Sequence, residues 1–489
     1  MRGGDGLIEI RRTGHFWIDN GICGLWQSLL SGAEEEPRRG PNGLSVGVGG
    51  CQVTLGEEAL VLAGDPQALT AVQRDALAAL KERLWRPTKA GKEWWYGPAA
   101  QLLPQMSNPD TFFVGVGQGS LGKIRPAVCD FCDREGPVKP VGTTEFPLLV
   151  TLEKMSSFYS ELSEAQRVCS ECAFASKFAL VVALYHIQGG LLNAFFLDDA
   201  DLLSLDRGIR AFSRLAAETA GLRNVPLSVV NVQYVNESLL SFLVAVLEAY
   251  KQRFPNDIDN LYAPRRLHLL AFSRSGKTTT VEGYAFVPNV AELVRIIEFL
   301  DWVDTNGKRR NALRAALYWM WFRADSKVDS TLREELCLRL KQRLDIAGVV
   351  AEAVMEALLV RDKPVSGYDS VNLKILVERY EREVMGIDAT ILKNTKDVGT
   401  MLGELAAETE EKSILYELRS TRNHEDFLEA IHHVLTRHLG ELEIDRRSVE
   451  GVLRDVDEKN WKVFRSLTGI YAALEYAART REESKAVGK

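Results

Sequence analysis

Two Cys-x-x-Cys knuckles, Cys129-Asp-Phe-Cys132 and Cys169-Ser-Glu-Cys172, stand 36 residues apart (133–168) and constrain this chain more than any other feature. A two-residue spacer lets a tight turn aim two thiolates at one ion, and two such pairs complete a tetrahedral sulfur site for zinc with bonds of about 2.3 Å. Four thiolates fill every tetrahedral position, so the pattern predicts a structural Zn2+ rather than a reacting one. A redox reading of either knuckle is weaker, because neither sits in a thioredoxin-like βαβ pattern. The wide separation predicts that the knuckles clamp the base of an inserted hairpin or loop.

With 489 residues the chain exceeds one ordinary core, and its 46% hydrophobic and 26% charged residues are those of a globular protein. The other cysteines, Cys23, Cys51 and Cys337, complete no disulfide framework, which favours reduced thiols and a metal. The opening MRGGDGLIEIRRTGH lacks an uninterrupted apolar run, and no later segment approaches the roughly 18 uncharged apolar residues of a spanning helix, predicting a cytoplasmic protein that enters no membrane. The net charge of -7 argues against a free-standing nonspecific nucleic-acid binder while leaving room for local basic patches.

Along the chain, GHFWIDNGICGLWQSLL reads as a turn entering an apolar helix with Asp19 as its N-cap. EEEPRRGPNGLSVGVGG reads as a surface loop before the strand CQVTL, and residues 66–85 have helical periodicity. Strands are expected at EFPLLVTL, VPLSVVNVQYV, RLHLLAFS and TVEGYAFVP, and a helix at AFASKFALVVALYH. Beyond about residue 290 no strand is expected, only amphipathic helices broken at KPVSGYDS, MGIDAT and RNHED. The reading is an α+β protein: a mixed N-terminal domain over 1–345 with a zinc-stapled insert at about 125–175, then an all-helical bundle over 346–489.

Three further segments carry candidate chemistry. Gly117-Gln118-Gly119-Ser120-Leu121-Gly122 matches the dinucleotide fingerprint literally, but Lys123-Ile-Arg-Pro126 and a knuckle follow where a helix is required. A plain glycine-rich turn competes with a loop that brings Gln118, Ser120 and Lys123 to a nucleic-acid backbone or base edge. Ser275-Gly276-Lys277-Thr278 imitates the end of a P-loop, yet the first required glycine is Ala271, so it reads as a hairpin tip presenting Arg274 and Lys277 to phosphates. Residues 308–343 hold ten basic and four acidic residues, beginning with Lys308, Arg309 and Arg310, interleaved with Tyr318, Trp319, Trp321 and Phe322. They suit a positively charged strand-holding surface, against the alternative of a solvated face whose aromatics are core. Lys89, Lys92 and Trp94-Trp95-Tyr96 pose the same choice. His424, His432, His433 and His438 form no metalloprotease or triad pattern, so no catalytic residue is assigned.

Thr13-Gly14-His15-Phe16-Trp17-Ile18-Asp19-Asn20-Gly21-Ile22 resembles the opening of the large-subunit proteins of type I CRISPR surveillance complexes (Cascade), close to subtype I-B. The order of parts agrees: a glycine-rich loop, a four-cysteine zinc site, the strand end Ala271-Phe272-Ser273-Arg274 and a helical last third. The resemblance implies a non-catalytic subunit that reads the protospacer-adjacent motif in double-stranded target DNA and stabilises the R-loop. The implied partners are crRNA-bound backbone and small subunits, with a recruited helicase-nuclease or transposition protein. By physical role, Gln118, Ser120 and Lys123, with Asn108 beside them, are the candidates for duplex contact, and Arg274, Lys277, Lys308, Arg309 and Arg310 for phosphates. The competing readings are a zinc-stabilised adaptor that binds only protein and a nucleic-acid-processing enzyme.

Overall fold

The computed structural model describes residues 6–33, 35–84, 125–140, 167–188, 191–219, 222–225, 227–229, 232–275, 278–324, 327–361, 363–438 and 446–487. They form two compact units, Met1–Leu227 with Ala245–Ala291, and Ser228–Val244 with Glu292–Lys489. These units divide the chain near residue 291, not near 345. Residues 292–345 join the second because their helices pack on the helices that follow, a relation that composition along the chain does not display.

In the first unit, β1 (Leu7–Arg11) leads into α1 (Phe16–Leu30), then β2 (Arg38–Gly40), β3 (Gly43–Val48), β4 (Cys51–Leu55), β5 (Ala59–Ala63) and α2 (Pro66–Leu84). The five strands form an antiparallel sheet of order β1-β5-β4-β3-β2. Two strands therefore replace the surface loop read at residues 34–50. Their glycines are the turn: Gly49 and Gly50, both at positive φ, join Val48 to its partner Cys51, as a two-residue hairpin requires.

The α1 N-cap is His15, not Asp19. Asp19 lies in the first turn, 1% exposed, and its carboxylate accepts from Thr13 N (2.8 Å), Thr13 Oγ1 (2.9 Å) and Gly14 N (2.9 Å). It thus fixes the turn before the helix, where Gly14 takes φ +73.

A three-stranded antiparallel sheet, β6 (Arg125–Val128), β7 (Glu135–Pro140) and β8 (Arg167–Cys169), precedes α3 (Ser170–Val182). A six-stranded sheet follows, built from β9 (Leu184–Gln188), β10 (Leu191–Asp198), β11 (Ala217–Thr219), β12 (Leu222–Asn224), β13 (Arg266–Ser275) and β14 (Thr278–Val287) in the order β11-β12-β9-β10-β13-β14. Its helices are α4 (Leu202–Ser213) and α5 (Val235–Arg253), the latter contributing its first ten residues to the second unit. Leu184–His186, read as the end of a helix, begin a strand. Among the described residues of 225–235 no strand forms. EFPLLVTL lies outside the described residues.

Helix α1 packs on α3 at backbone distance. A Cβ on Gly21 would lie 2.0 Å from Ala175 O, and one on Gly24 2.1 Å from Phe178 O. Around this contact Trp17 Nε1 donates to Ser176 O (2.8 Å), and Asn20 Nδ2 donates to Leu197 O of β10 (2.6 Å). Trp17 and Trp26 are wholly buried, each removing roughly 200 Å² from water, on the order of 5 kcal/mol of transfer free energy.

The second unit contains α6 (Val290–Phe299) from Glu292 onward, then β15 (Asp301–Val303), β16 (Arg309–Asn311), α7 (Ala312–Trp319), β17 (Phe322–Ala324), β18 (Lys327–Asp329) and α8 (Thr331–Gln342). From there it is helical: α9 (Ala347–Met355) with a π-helical turn Glu356–Val360, α10 (Gly367–Glu383), α11 (Ala389–Glu408), α12 (Ser413–Ser420), α13 (His424–Arg437), α14 (Arg446–Asp455) and α15 (Trp461–Val487). The two small hairpins correct the expectation of no strand beyond 290; three-residue strands are too short to display alternation. The three predicted helix breaks are present, with side-chain caps at Ser366, Asp388 and Asn423. Among the described residues, no helix is long and apolar enough to cross a membrane.

Two buried charge arrangements hold this unit. Arg333 and Glu237, both 0% exposed, pair at 3.1 Å, while Glu334 accepts from the Asn236 and Glu237 amides at the start of α5. Glu381 Oε1 accepts from Ile346 N (3.0 Å) and Ala347 N (3.1 Å), capping α9 from α10. Burial pushes the Glu381 carboxyl up to about 8, with Asp345 beside it adding to the shift and the amide hydrogen bonds opposing it.

Two tests follow from this packing. Gly21→Ala should lower unfolding free energy by about 1–3 kcal/mol in denaturant titrations, since the facing backbone cannot yield, whereas Gly47→Ala, with nothing within 4 Å, should leave it nearly unchanged. For Glu381, the folded state holds the proton more tightly than the unfolded one. Its contribution is complete below about pH 4.3 and declines as pH rises towards 8. The urea midpoint should therefore fall between pH 5 and 8, and fall less in Glu381→Gln.

Candidate metal centre and basic surfaces

Local hydrogen bonding builds the four-cysteine site. Cys129 follows β6, and its carbonyl accepts from Asp133 N (3.0 Å) while its amide donates to Arg134 O (3.0 Å), closing a turn in which Asp133 takes φ 56. Cys169 ends β8 and is the N-cap of α3, its sulfur accepting from Cys172 N (3.5 Å). The knuckles are joined directly: Asp130 N donates to Arg167 O (2.9 Å), Arg167 N to Asp130 Oδ2 (2.6 Å), and Cys169 N to Cys129 Sγ (3.4 Å). Pro140 and Arg167, which flank residues 141–166, are paired across β7 and β8.

The four sulfurs lie within 4.8 Å of one another, and Cys132 Sγ and Cys169 Sγ are 3.7 Å apart. Sulfurs bonded at about 2.3 Å to one tetrahedral ion stand roughly 3.8 Å apart, so the cluster has the dimensions of a four-thiolate metal site. Cys129, Cys169 and Cys172 are buried and Cys132 is half-buried. Hydrogen bonds from Cys132, Cys169 and Cys172 hold the Cys129 thiol far below its ordinary value. The same sharing pushes Cys169 and Cys172 well above theirs. Without an ion the sulfurs thus share protons and do not all ionise; a soft divalent cation is what lets four thiolates coexist.

Residues that sequence spacing did not single out fix this centre in the first unit. Arg134 donates to Glu9 O of β1 (3.0 Å) and pairs with Glu171 of α3 (3.1 Å). Phe131, inside the knuckle, meets the His15 ring edge-on at 5.3 Å, and His15 stacks on Phe16. Burial lowers His15 to about 4, so the ring is neutral at physiological pH. No spacing rule marks Arg134; only its place two residues after Cys132 hints at it.

Of the predicted contact residues, Asn108, Gln118, Ser120, Lys123 and Lys277 lie outside the described residues, as do Lys89, Lys92 and Trp94-Trp95-Tyr96. Arg274 stands in β13 opposite Thr279, near the end of the β13–β14 hairpin. Lys308, Arg309 and Arg310 belong to the β15–β16 hairpin. Lys308 and Arg309 are exposed; Arg310 pairs with Asp304 (3.0 Å) and lies 5.4 Å from the Tyr368 ring centroid.

Four more residues of the basic segment are occupied within the second unit, while Arg314 and Arg323 are exposed. Arg333 is buried on Glu237, Arg339 pairs with Glu335, Lys341 donates to Asn236, and Arg343 pairs with Glu292. Trp319 and Phe322 are 5% and 4% exposed and, with the half-buried Trp321, surround the Lys363 ammonium at 4.9–5.5 Å. Burial lowers Lys363 to about 8. Tyr318, 61% exposed, is the member of this aromatic run that faces solvent. Among the histidines, exposed His433 meets Glu417 at 3.4 Å and His438 is buried near Glu411.

Comparison of the chain with protein-family models and with curated proteins finds no match.

The centre makes a direct prediction. Cys169→Ser or Cys172→Ser should reduce metal per chain to near zero by elemental mass spectrometry and lower the thermal midpoint, while Cys51→Ser, outside the cluster, should leave metal content unchanged.

Proposed function

We propose that the chain is the non-catalytic large subunit of a type I CRISPR RNA-guided surveillance complex, close to subtype I-B, with Zn2+ as the structural ion at Cys129, Cys132, Cys169 and Cys172. In this reading it acts in the cytoplasm beside crRNA-bound backbone and small subunits. It recognises the protospacer-adjacent motif in duplex DNA and stabilises the opened strands, after which a helicase-nuclease or transposition protein is recruited. One observation carries the proposal: Thr13–Ile22, the stretch that bears the resemblance, supplies Trp17 and Gly21, which tie α1 to α3, and His15, which meets the Phe131 knuckle. The most distinctive part of the sequence and the four-cysteine centre are thus one construction.

Duplex contact falls to Asn108, Gln118, Ser120 and Lys123, and phosphate contact to Arg274, Lys277, Lys308, Arg309 and Arg310. A second reading, a zinc-stabilised adaptor that binds only protein, is favoured by the internal pairing of Arg310, Arg333, Arg339 and Arg343.

Gel shifts of the assembled complex on target duplex at several salt concentrations separate the two. Each phosphate contact contributes about 0.9 to the slope of log K against log salt, so Lys308→Ala with Arg309→Ala should flatten it by roughly 1.8. Gln118→Ala with Lys123→Ala should weaken motif-dependent binding while assembly is kept. A shallow slope that neither pair alters would leave the adaptor reading standing.

A further inference from the structure

We propose that Cys132 is a site of oxidative modification, at which a peroxide joins it to Cys169 and releases the ion; the proposal rests on the zinc reading for the ion but not for the bond. Of the four clustered sulfurs, Cys132 belongs to the half-buried residue while the residues of the other three are buried. Oxidants arriving from solvent therefore meet Cys132 first. Its sulfur lies 3.7 Å from Cys169 Sγ, so a contraction of less than 2 Å reaches the roughly 2.0 Å of a disulfide. Outside the cluster Cys23, Cys51 and Cys337 are all buried, and burial pushes the Cys23 and Cys337 thiols well up. They do not compete.

The chemistry balances with peroxide as the two-electron oxidant. The Cys132 thiolate attacks one peroxide oxygen, the O–O bond breaks, hydroxide leaves and a sulfenic acid forms. The Cys169 thiolate then attacks the Cys132 sulfur, the S–O bond breaks and a second hydroxide leaves. Two thiolates have been oxidised and one peroxide reduced. The two ligands remaining, Cys129 and Cys172, no longer complete a four-sulfur site. Cys169 is also the N-cap of α3, so the new bond pulls on the start of the helix that packs against α1.

The test uses the wild-type full chain, so no variant has to fold. Zinc is measured before treatment by elemental mass spectrometry. One equivalent of hydrogen peroxide is added, zinc release is followed with a chromophoric chelator, sulfenic acid is trapped with dimedone, and disulfides are mapped on nonreduced peptides. The expected result is dimedone on Cys132, a Cys132–Cys169 disulfide, about one zinc released per chain, and recovery with dithiothreitol and zinc. Dimedone first on Cys129, Cys169 or Cys172, or a disulfide confined to Cys129–Cys132 or Cys169–Cys172, overturns the assignment and leaves the zinc reading intact. A purified chain without zinc that still forms the Cys132–Cys169 bond overturns the zinc reading and supports the modification site.

Discussion

The backbone contact of α1 with α3 governs the first unit. Glycine at 21 and 24 removes the side chains that would hold two helices at the usual 8–10 Å, and the space is taken by the Ala175 and Phe178 carbonyls. At that distance Trp17 reaches the Ser176 carbonyl of α3 directly, and Asn20 on the same helix reaches the Leu197 carbonyl of β10. A one-methyl increase at Gly21 has no soft neighbour to displace, which makes the crossing a fixed length rather than an adjustable one. The second unit repeats the device where α11 meets α15: Cβ atoms on Gly399 and Gly403 would stand 2.6 Å from Thr468 O and 2.3 Å from Ala472 O.

That crossing explains why the cysteine cluster and the N-terminal stretch belong together. Helix α3 begins at Cys169, so whatever fixes α3 fixes half of the sulfur site, and α1 does so through Gly21 and Gly24. The other knuckle is held to the same body by Arg134 on β1 and by Phe131 against His15. A His15 kept neutral by burial fits this position, because an imidazolium between aromatic rings and buried against His268 would carry an unsolvated charge.

Legibility in the sequence tracked the physical range of each signal. The cysteine spacing is local, and the structure closes it into one cluster. The helix breaks at 363–370, 385–390 and 422–426 were readable because capping chemistry is also local. Asp19 was misread as a cap because an acid at a helix entrance has two uses, and only the fold shows that its partners, Thr13 and Gly14, precede the helix. The 34–50 region was misread for a related reason: glycines that make a two-residue turn look like loop glycines until the strands on either side are paired. The glycines of α1 carry no periodic signal at all, since their role is set by α3, about 150 residues away.

The basic segment at 308–343 shows why charge counted along a chain overstates charge offered to a partner. Six excess positive charges suggest a field that would draw in a polyanion. In the fold, Arg333 is spent on a buried carboxylate, and Arg339 and Arg343 on carboxylates at the surface. Arg314 and Arg323 are exposed, as are Lys308 and Arg309, which sit on a hairpin whose turn is held by Asp304, accepting from Asn306 N and Lys308 N. A pair of cations on a preorganised turn loses little conformational entropy on contact, yet two phosphate contacts are too few to hold nucleic acid alone at physiological salt. On the proposed reading, such a surface in an acidic chain would contribute where other subunits already place a strand against it, and would be nearly silent on free nucleic acid.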